Sequence, residues 1–212
     1  GLCGSFNSDL IKATHRLLGR LEAPEKKLIL FGKKGMEFFK RRGFNILNYY
    51  SDSEGTMTPE HIRHASRDAV KLFTGPVVDG RVVGVPVLDE LWLVFSDFVS
   101  VLERKILVKR LLPLTILESD GQKRRHREII FEPDPKTIFD ALVPRYIEGL
   151  FTRAVLESSA AEQAARMIAM SAATDKADEI IDELTLYYNR TRQSQITKEL
   201  AEVVSGADAL AG

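Results

Sequence analysis

The sequence predicts an α/β globular domain over residues 1–134 followed by one long C-terminal helix over residues 135–212. Short apolar runs alternate with helical patterns across the first part, as in a sheet covered by helices. After Pro135, only Pro144 and Gly149 interrupt helix-compatible residues before Ser205-Gly206. Within that tail, seven consecutive polar residues, Asn189 to Gln195, stand between Tyr188 and Ile196. Two helical turns there offer no apolar side chain for packing.

In chain order, Asn7 or Ser8 caps a helix running to about Arg20, with Leu10, Ile11, Leu17 and Leu18 on its apolar face. "KKLILFG" (26–32) reads as a buried strand and "KKGMEFFKRRG" (33–43) as a short basic helix stopped by Gly43. "FNILNYY" (44–50) is a second strand. Thr58-Pro59-Glu60 opens the next helix, with the hydroxyl as N-cap and proline at the first position, and it should run to about Phe73. Residues 74–87, rich in glycine, valine and proline, form either a hairpin with Asp79-Gly80 at its tip or an ordered loop. "LDELWLVFSDF" (88–98), "ERKILVKRLLPL" (103–114) and "REIIFEP" (127–133) are further strands, and the alternation predicts a mainly parallel sheet. The basic run in "ESDGQKRRHRE" (118–128) suits an acidic partner, but a solvated turn is the simpler reading in a neutral chain.

Asp134-Pro135 reads as a helix start, with the carboxylate as cap. Pro144 should kink this helix or mark its true start. An unbroken helix over residues 135–205 would be about 105 Å long, so most of it would project from the domain and need a partner. Ala160, Ala164, Met167, Ser171, Thr174, Ala177, Ile181, Leu184 and Tyr188 supply a seam at steps of 4, 3, 4, 3, 3, 4, 3 and 4, close to the 3.5 period of a coiled coil. Glu157, Glu162, Arg166, Asp175, Asp178 and Glu179 fall opposite it as a solvated face. The competing pattern is two helices with a turn at Ser171-Ala172-Ala173, although no glycine or proline marks one.

Thirty basic residues balance thirty acidic ones, so bulk charge does not direct the chain to nucleic acid or to a membrane surface. One cysteine, Cys3, excludes an internal disulfide framework and fits a reducing compartment. No apolar run approaches the ~20 residues that cross a bilayer, and no signal peptide is visible; the expectation is a soluble chain.

Catalytic motifs are weak. Cys3 in "GLCG" would need His15 placed as its base; a buried structural cysteine is the simpler reading. "FGKKG" (31–35) lacks the phosphate-cradling GxxxxGK[ST] spacing. His61 and His64 lack a third metal ligand at suitable spacing. No GxGxxG follows a strand, so a dinucleotide is not indicated, and a Rossmann-like fold alone does not make an enzyme.

Four stretches carry a resemblance. "SSAAEQAARMIAMSAATDKADEIIDELTLYYNRTRQSQITKELAEVVSGADAL" (158–210) closely resembles the C-terminal helix of the γ subunit of F-type ATP synthases. "GLCGSFNSDLI" (1–11), "LLPL" (111–114) and "FEPDPKTIFDALVPRYIE" (131–148) match further landmarks of that family in the same order. The resemblance implies a Rossmann-like, three-layer α/β foot and an antiparallel coiled-coil axle turning inside a ring of α and β subunits. It implies a non-catalytic rotor that couples proton-driven rotation of the c-ring to ATP synthesis or hydrolysis in the β subunits. No cofactor would be bound by this chain; ATP, ADP and Mg would sit on partner subunits. Implied partners are α, β, ε (δ in mitochondria) and the c-ring, with no nucleic acid and membrane contact only through the c-ring. The implied location is peripheral, on the cytoplasmic side of a bacterial inner membrane or the matrix side of the mitochondrial one.

Carried over residue by residue, Arg192, Gln193, Thr197 and Glu199 match the family's polar contacts to the catalytic β subunits, with Arg190 and Lys198 beside them. Ile196, Leu200, Val203 and Val204 would meet an apolar collar at the top of the hexamer. Glu132 would lie near c and ε, where Ile129 replaces an aromatic common in the family. The coiled-coil seam is Ala160, Ala164, Met167, Ile181, Leu184 and Tyr188. The sequence opens directly in "GLCG", without the family's N-terminal helix and first strand, and shows no cysteine-bearing insert of the chloroplast type. A different class of function fits the residues too: an α/β interaction module whose long helix binds some other helical partner.

Overall fold

The computed structural model describes residues 2–51, 57–75, 77–78, 81–82, 85–114, 132 and 134–211. Helix α1 (Phe6–Arg20) begins earlier than expected, with Ser5 at its N-cap position. Asn7 and Ser8 lie inside the first turn, where Asn7 Nδ2 donates to Cys3 Sγ (3.2 Å) and Ser8 Oγ donates to the Ser5 carbonyl (2.8 Å). Ser5 Oγ itself donates to Asp9 Oδ2 at 2.7 Å instead of accepting a backbone N–H.

Strand β1 (Lys27–Phe31) pairs in parallel with β2 (Asn45–Tyr50), from Lys27 opposite Asn45 to Phe31 opposite Tyr50. Between them α2 (Lys33–Arg41) stops before Gly43, whose φ of 73° an L side chain rarely adopts. Helix α3 (Pro59–Thr74) starts as the sequence predicts: Thr58 Oγ1 accepts from the His61 N–H at 3.4 Å, with Pro59 in the first turn. Strands β3 (Val77–Val78) and β4 (Arg81–Val82) pair antiparallel, which favours the hairpin alternative; Asp79-Gly80 lies outside the described residues.

The mainly parallel expectation fails at β5 (Leu91–Phe98) and β6 (Arg104–Leu112), which pair antiparallel. Residues 99–103 are too few to cross back over a sheet, since a parallel return needs about a dozen residues or more. The charged turn at 118–128 and the last expected strand at 127–133, apart from Glu132, lie outside the described residues.

Helix α4 (Pro135–Ala211) is unbroken. Asp134 holds its start: Thr137 N–H donates to Oδ1 (3.0 Å) and Thr137 Oγ1 to Oδ2 (2.6 Å). The Thr137 hydroxyl is the main reason the Asp134 carboxyl titrates below its usual 3.8. Pro144 neither starts nor ends the helix, although it cannot donate to the carbonyl four residues back. No turn forms at residues 171–173, and the helix continues through Ser205-Gly206.

By contacts the chain divides into two units, residues 3–165 and 166–212. The first unit therefore takes in the helix from its start to Ala165. Its largest core cluster packs Ile62, Ala65 and Ala69 of α3 with Ile147 and Phe151 of α4, Tyr50, Leu111 and Leu112. Ala65, Ala69 and Ile147 are fully buried; two alanines on α3 leave room for the larger side chains of α4. Phe31 stacks on Tyr50 at 5.4 Å, and Tyr50 Oη donates to Asp68 Oδ2 at 3.0 Å. Burial, helped by Asp68, pushes the Tyr50 hydroxyl up to about 12. A second cluster joins Cys3 and Phe6 to Ala161 and Ala165, and a third joins Leu18, Leu28 and Phe39.

Ile147→Ala should destabilise the chain by about 2–5 kcal/mol, read as a lowered denaturant midpoint. Because folding depresses the Asp134 pKa, its contribution is present above the ordinary value of 3.8 and lost as pH falls through the folded value. Asp134→Asn should therefore lower the thermal midpoint at neutral pH, with the gap closing in strong acid.

Candidate functional site

The candidate site is a surface along α4. In the first unit, Ala160 is exposed and Ala164 half-buried. In the second unit the large seam residues Met167, Ile181, Leu184 and Tyr188 are each 56–63 % exposed. Residues 171–188 are exposed throughout, so the described chain leaves the 3.5-period face uncovered. Ile180, Leu186 and Tyr187 widen the apolar surface beyond the seam.

At Tyr188 the chemistry of this face changes. Continuing the same steps of four, three and four lands on Arg192, Gln195 and Glu199, so polar residues occupy the positions that Ile181, Leu184 and Tyr188 hold below. Gln193, Thr197 and Arg190 fall on another side of the helix, with Lys198 between the two. The contact residues named from sequence thus ring α4; Arg190, Lys198 and Glu199 share one open groove along the helix with Thr191, Ser194, Gln195 and Glu202, while Arg192, Gln193 and Thr197 lie outside it. Thr197 Oγ1 donates to the Gln193 carbonyl (2.8 Å) and Thr191 Oγ1 to the Tyr187 carbonyl (3.0 Å), which leaves their lone pairs for a partner. Lys198 approaches Glu202 at 3.9 Å, whereas Arg190 and Arg192 make no ion pair among the described residues. Apolar character resumes at Ile196, Leu200, Val203 and Val204, about a quarter turn away from the seam.

Glu132 is exposed, and Ile129 lies outside the described residues. Cys3 is buried among Phe6, Ala161 and Ala165, while His15 sits edge-on to Phe44 at 6.1 Å. Cys3 and His15 thus have different surroundings, in keeping with the structural reading of the cysteine. No group of three His, Cys, Asp or Glu side chains suited to a metal occurs among the described residues, and no described helix is long and apolar enough to cross a membrane.

Sequence reasoning missed how α4 is fastened to the sheet. Glu157, assigned from its spacing to the solvated face, accepts the Phe98 N–H with Oε2 at 3.1 Å. Ser158 Oγ accepts the Ser96 N–H at 3.1 Å. Arg153 bridges Asp97 (3.2 Å) and Glu157 (3.7 Å). These side chains occupy backbone donors of β5 that β6 does not take, and only strand pairing reveals which those are. At the same end of β5–β6, opposite Phe98, Arg104 Nη2 donates to Ser5 Oγ (2.7 Å) and Asp9 Oδ2 (2.8 Å). The Ser5 hydroxyl and then Arg104 hold the Asp9 carboxyl below its usual range against the opposing effect of burial.

Glu157→Ala should speed amide exchange at Phe98 well above that at Ser96, because an orphaned buried donor costs about 1–3 kcal/mol. Ser158→Ala should reverse the order, as read by residue-resolved hydrogen exchange.

A family model described as ATP synthase matches residues 1–210. The ATP synthase gamma chain of Pelotomaculum thermopropionicum is 41% identical over 211 residues, which span 99% of this chain and 70% of that one. The gamma chain of Chlorobaculum tepidum is 40% identical over 215 residues, again covering 99% and 70%. Among solved structures, a chain of the Euglena gracilis mitochondrial ATP synthase (OSCP/F1/c-ring, rotational state 3) superposes with a TM-score of 0.69 over 99% of this chain and 69% of its own, at 17% identity. The Tetrahymena thermophila mitochondrial ATP synthase, central stalk and c-ring, gives 0.59 over 82% and 71%, at 22% identity. At such identities the likeness to the two structures is one of fold. An unbroken helix, an exposed coiled-coil seam and similarity to gamma chains over 99% of this chain and 70% of theirs agree: the chain belongs to the ATP synthase gamma chain family and is a central-stalk rotor subunit.

Proposed function

We propose that the three zones of α4 divide the rotor's work. The exposed seam ending at Tyr188 takes a helical partner, the part that the family's N-terminal helix plays. The band from Asn189 to Gln195, with Thr197, Lys198 and Glu199, then turns against loops of the catalytic β subunits. The observation that carries this reading is the switch of one helix face from Ile181, Leu184 and Tyr188 to Arg192, Gln195 and Glu199. A shaft must touch its bearing without sticking. Amide and charged groups exchange partner contacts for water at small net cost, whereas an apolar band would lose its burial at every angle. Ile196, Leu200, Val203 and Val204 then suit an apolar collar around the tip.

At the other end, Glu132 contributes to the contact with the c-ring and ε. The chain binds no nucleotide or metal; ATP, ADP and Mg belong to its partners. It sits peripherally on the cytoplasmic side of a bacterial inner membrane, the bacterial gamma chains being its relatives at about 40% identity.

Replacing Arg192 and Gln193 together with alanine should lower coupled ATP synthesis several-fold in reconstituted vesicles while α and β chains still co-purify with the subunit. Undiminished synthesis would remove the band from the coupling path. Recovery of the native chain without nucleotide-binding subunits would favour a free-standing helix-binding module instead.

A further inference from the structure

We propose that the turn between β5 and β6, together with Leu156, seats one end of the helix that pairs with the seam, and that this end carries large apolar side chains. The seam named from periodicity starts at Ala160, but the apolar face does not. Leu156 stands one step of four earlier and is 62 % exposed. The step of three before it lands on Arg153, which Asp97 holds at 3.2 Å. The apolar line therefore ends at Leu156.

Within this unit β5 runs in the same direction as α4. Leu91, at its start, packs against the cluster that holds Ile147, and Phe98, at its end, donates its N–H to Glu157. Glu157 and Ala164 are two turns apart and share one side of the helix. The five residues after Phe98 thus emerge beside the foot of the seam. They read Val-Ser-Val-Leu-Glu, where a hairpin turn ordinarily carries glycine, asparagine or aspartate. Leu102 is 87 % exposed, and Val99 and Val101 nearly half exposed. The turn is nonetheless closed. Ser100 and Glu103 exchange backbone hydrogen bonds at 2.9 and 3.3 Å, and the Ser100 hydroxyl accepts the Glu103 N–H at 3.1 Å. Apolar side chains on a backbone held in this way form a preorganised contact surface.

Position selects the occupant under the rotor reading, on which this inference rests. Glu132, assigned to the c-ring and ε, precedes α4, whereas Glu157 lies 22 residues past Pro135, about 33 Å along the helix. The polar band assigned to the β subunits begins 32 residues beyond Glu157, about 48 Å further on. Of the partners in that reading, the helix on the seam is the one that reaches the level of the turn. Ala160 and Ala164 are small, so its axis can come within about 8 Å of α4. A helix about 10 Å across then meets the turn on the same side. Chemistry agrees with position. A stationary subunit sliding past Leu102 would lose apolar burial at every angle, whereas a helix on the seam turns with α4 and keeps it.

The test is photo-crosslinking in the assembled complex, with benzophenone maleimide on L102C and, separately, on A160C; Cys3 is buried and does not compete. Both labels should reach one apolar-rich helix, at sites within about two turns of each other. Adducts of L102C on an α, β, ε or c chain, or no adduct, would overturn the proposal. V101D/L102D should speed amide exchange about tenfold in the turns of that helix nearest the foot, while V85D, a charge on an equally exposed valine elsewhere, should leave it unchanged. Equal exchange in V101D/L102D and the parent would also overturn it. If α and β chains co-purify with the subunit and L102C labels one of them, the seat alone falls. If they fail to co-purify and both labels still reach one helix, the rotor reading falls and the seat stands.

Discussion

A helix of 77 residues serves as both core wall and exposed shaft only if its buried stretch is fixed against sliding and rotation. Apolar contact between Ile147, Phe151 and the alanines of α3 supplies the burial. Such contact is non-directional and resists separation better than it resists twisting. Directionality comes from Glu157 and Ser158, which accept backbone N–H groups of β5, and from Arg153, which ties Asp97 to the same turn. Each backbone donor has one direction, so a rotation of α4 about its own axis would break both bonds together. The exposed length of α4 depends on this junction, because these bonds fix the orientation of its buried stretch against β5.

The same logic explains how one helix changes character along its length. Up to Ala165 its buried residues are Ile147, Phe151, Ala154, Ala161 and Ala165, matched to a packed domain. From residue 171 to Tyr188 nearly everything is exposed, and large apolar residues recur at coiled-coil spacing. Beyond Tyr188 the spacing persists while the chemistry becomes polar. Buried alanine, exposed leucine and exposed glutamine follow one another along α4, the order that the proposed division into packing, pairing and sliding calls for.

Charge is arranged with similar economy. A neutral total conceals four exposed cations, Arg20, Lys40, Arg41 and Arg42, where β1 and β2 start, and an acidic stretch of α4 at residues 175–183, where five carboxylates face one lysine. Neither is visible in net charge, because folding and not composition decides which side chains share a surface.

The residues themselves determined the helix starts at Thr58 and Asp134, the unbroken run of α4 and the seam, because capping groups, proline positions and a 3.5-residue period act within a few turns of chain. They also determined the family, through a match that extends over nearly the whole sequence. Tertiary structure alone decided three things. The β5–β6 pair is antiparallel because a short connection overrides β/α alternation. Glu157 faces β5 because strand pairing leaves the Phe98 N–H open. Arg20 and Arg42, far apart in sequence, share one end because β1 and β2 start side by side. Local periodicity specifies an element and its faces; which face meets which edge is settled only when distant segments compete to satisfy the same donors and cover the same apolar area.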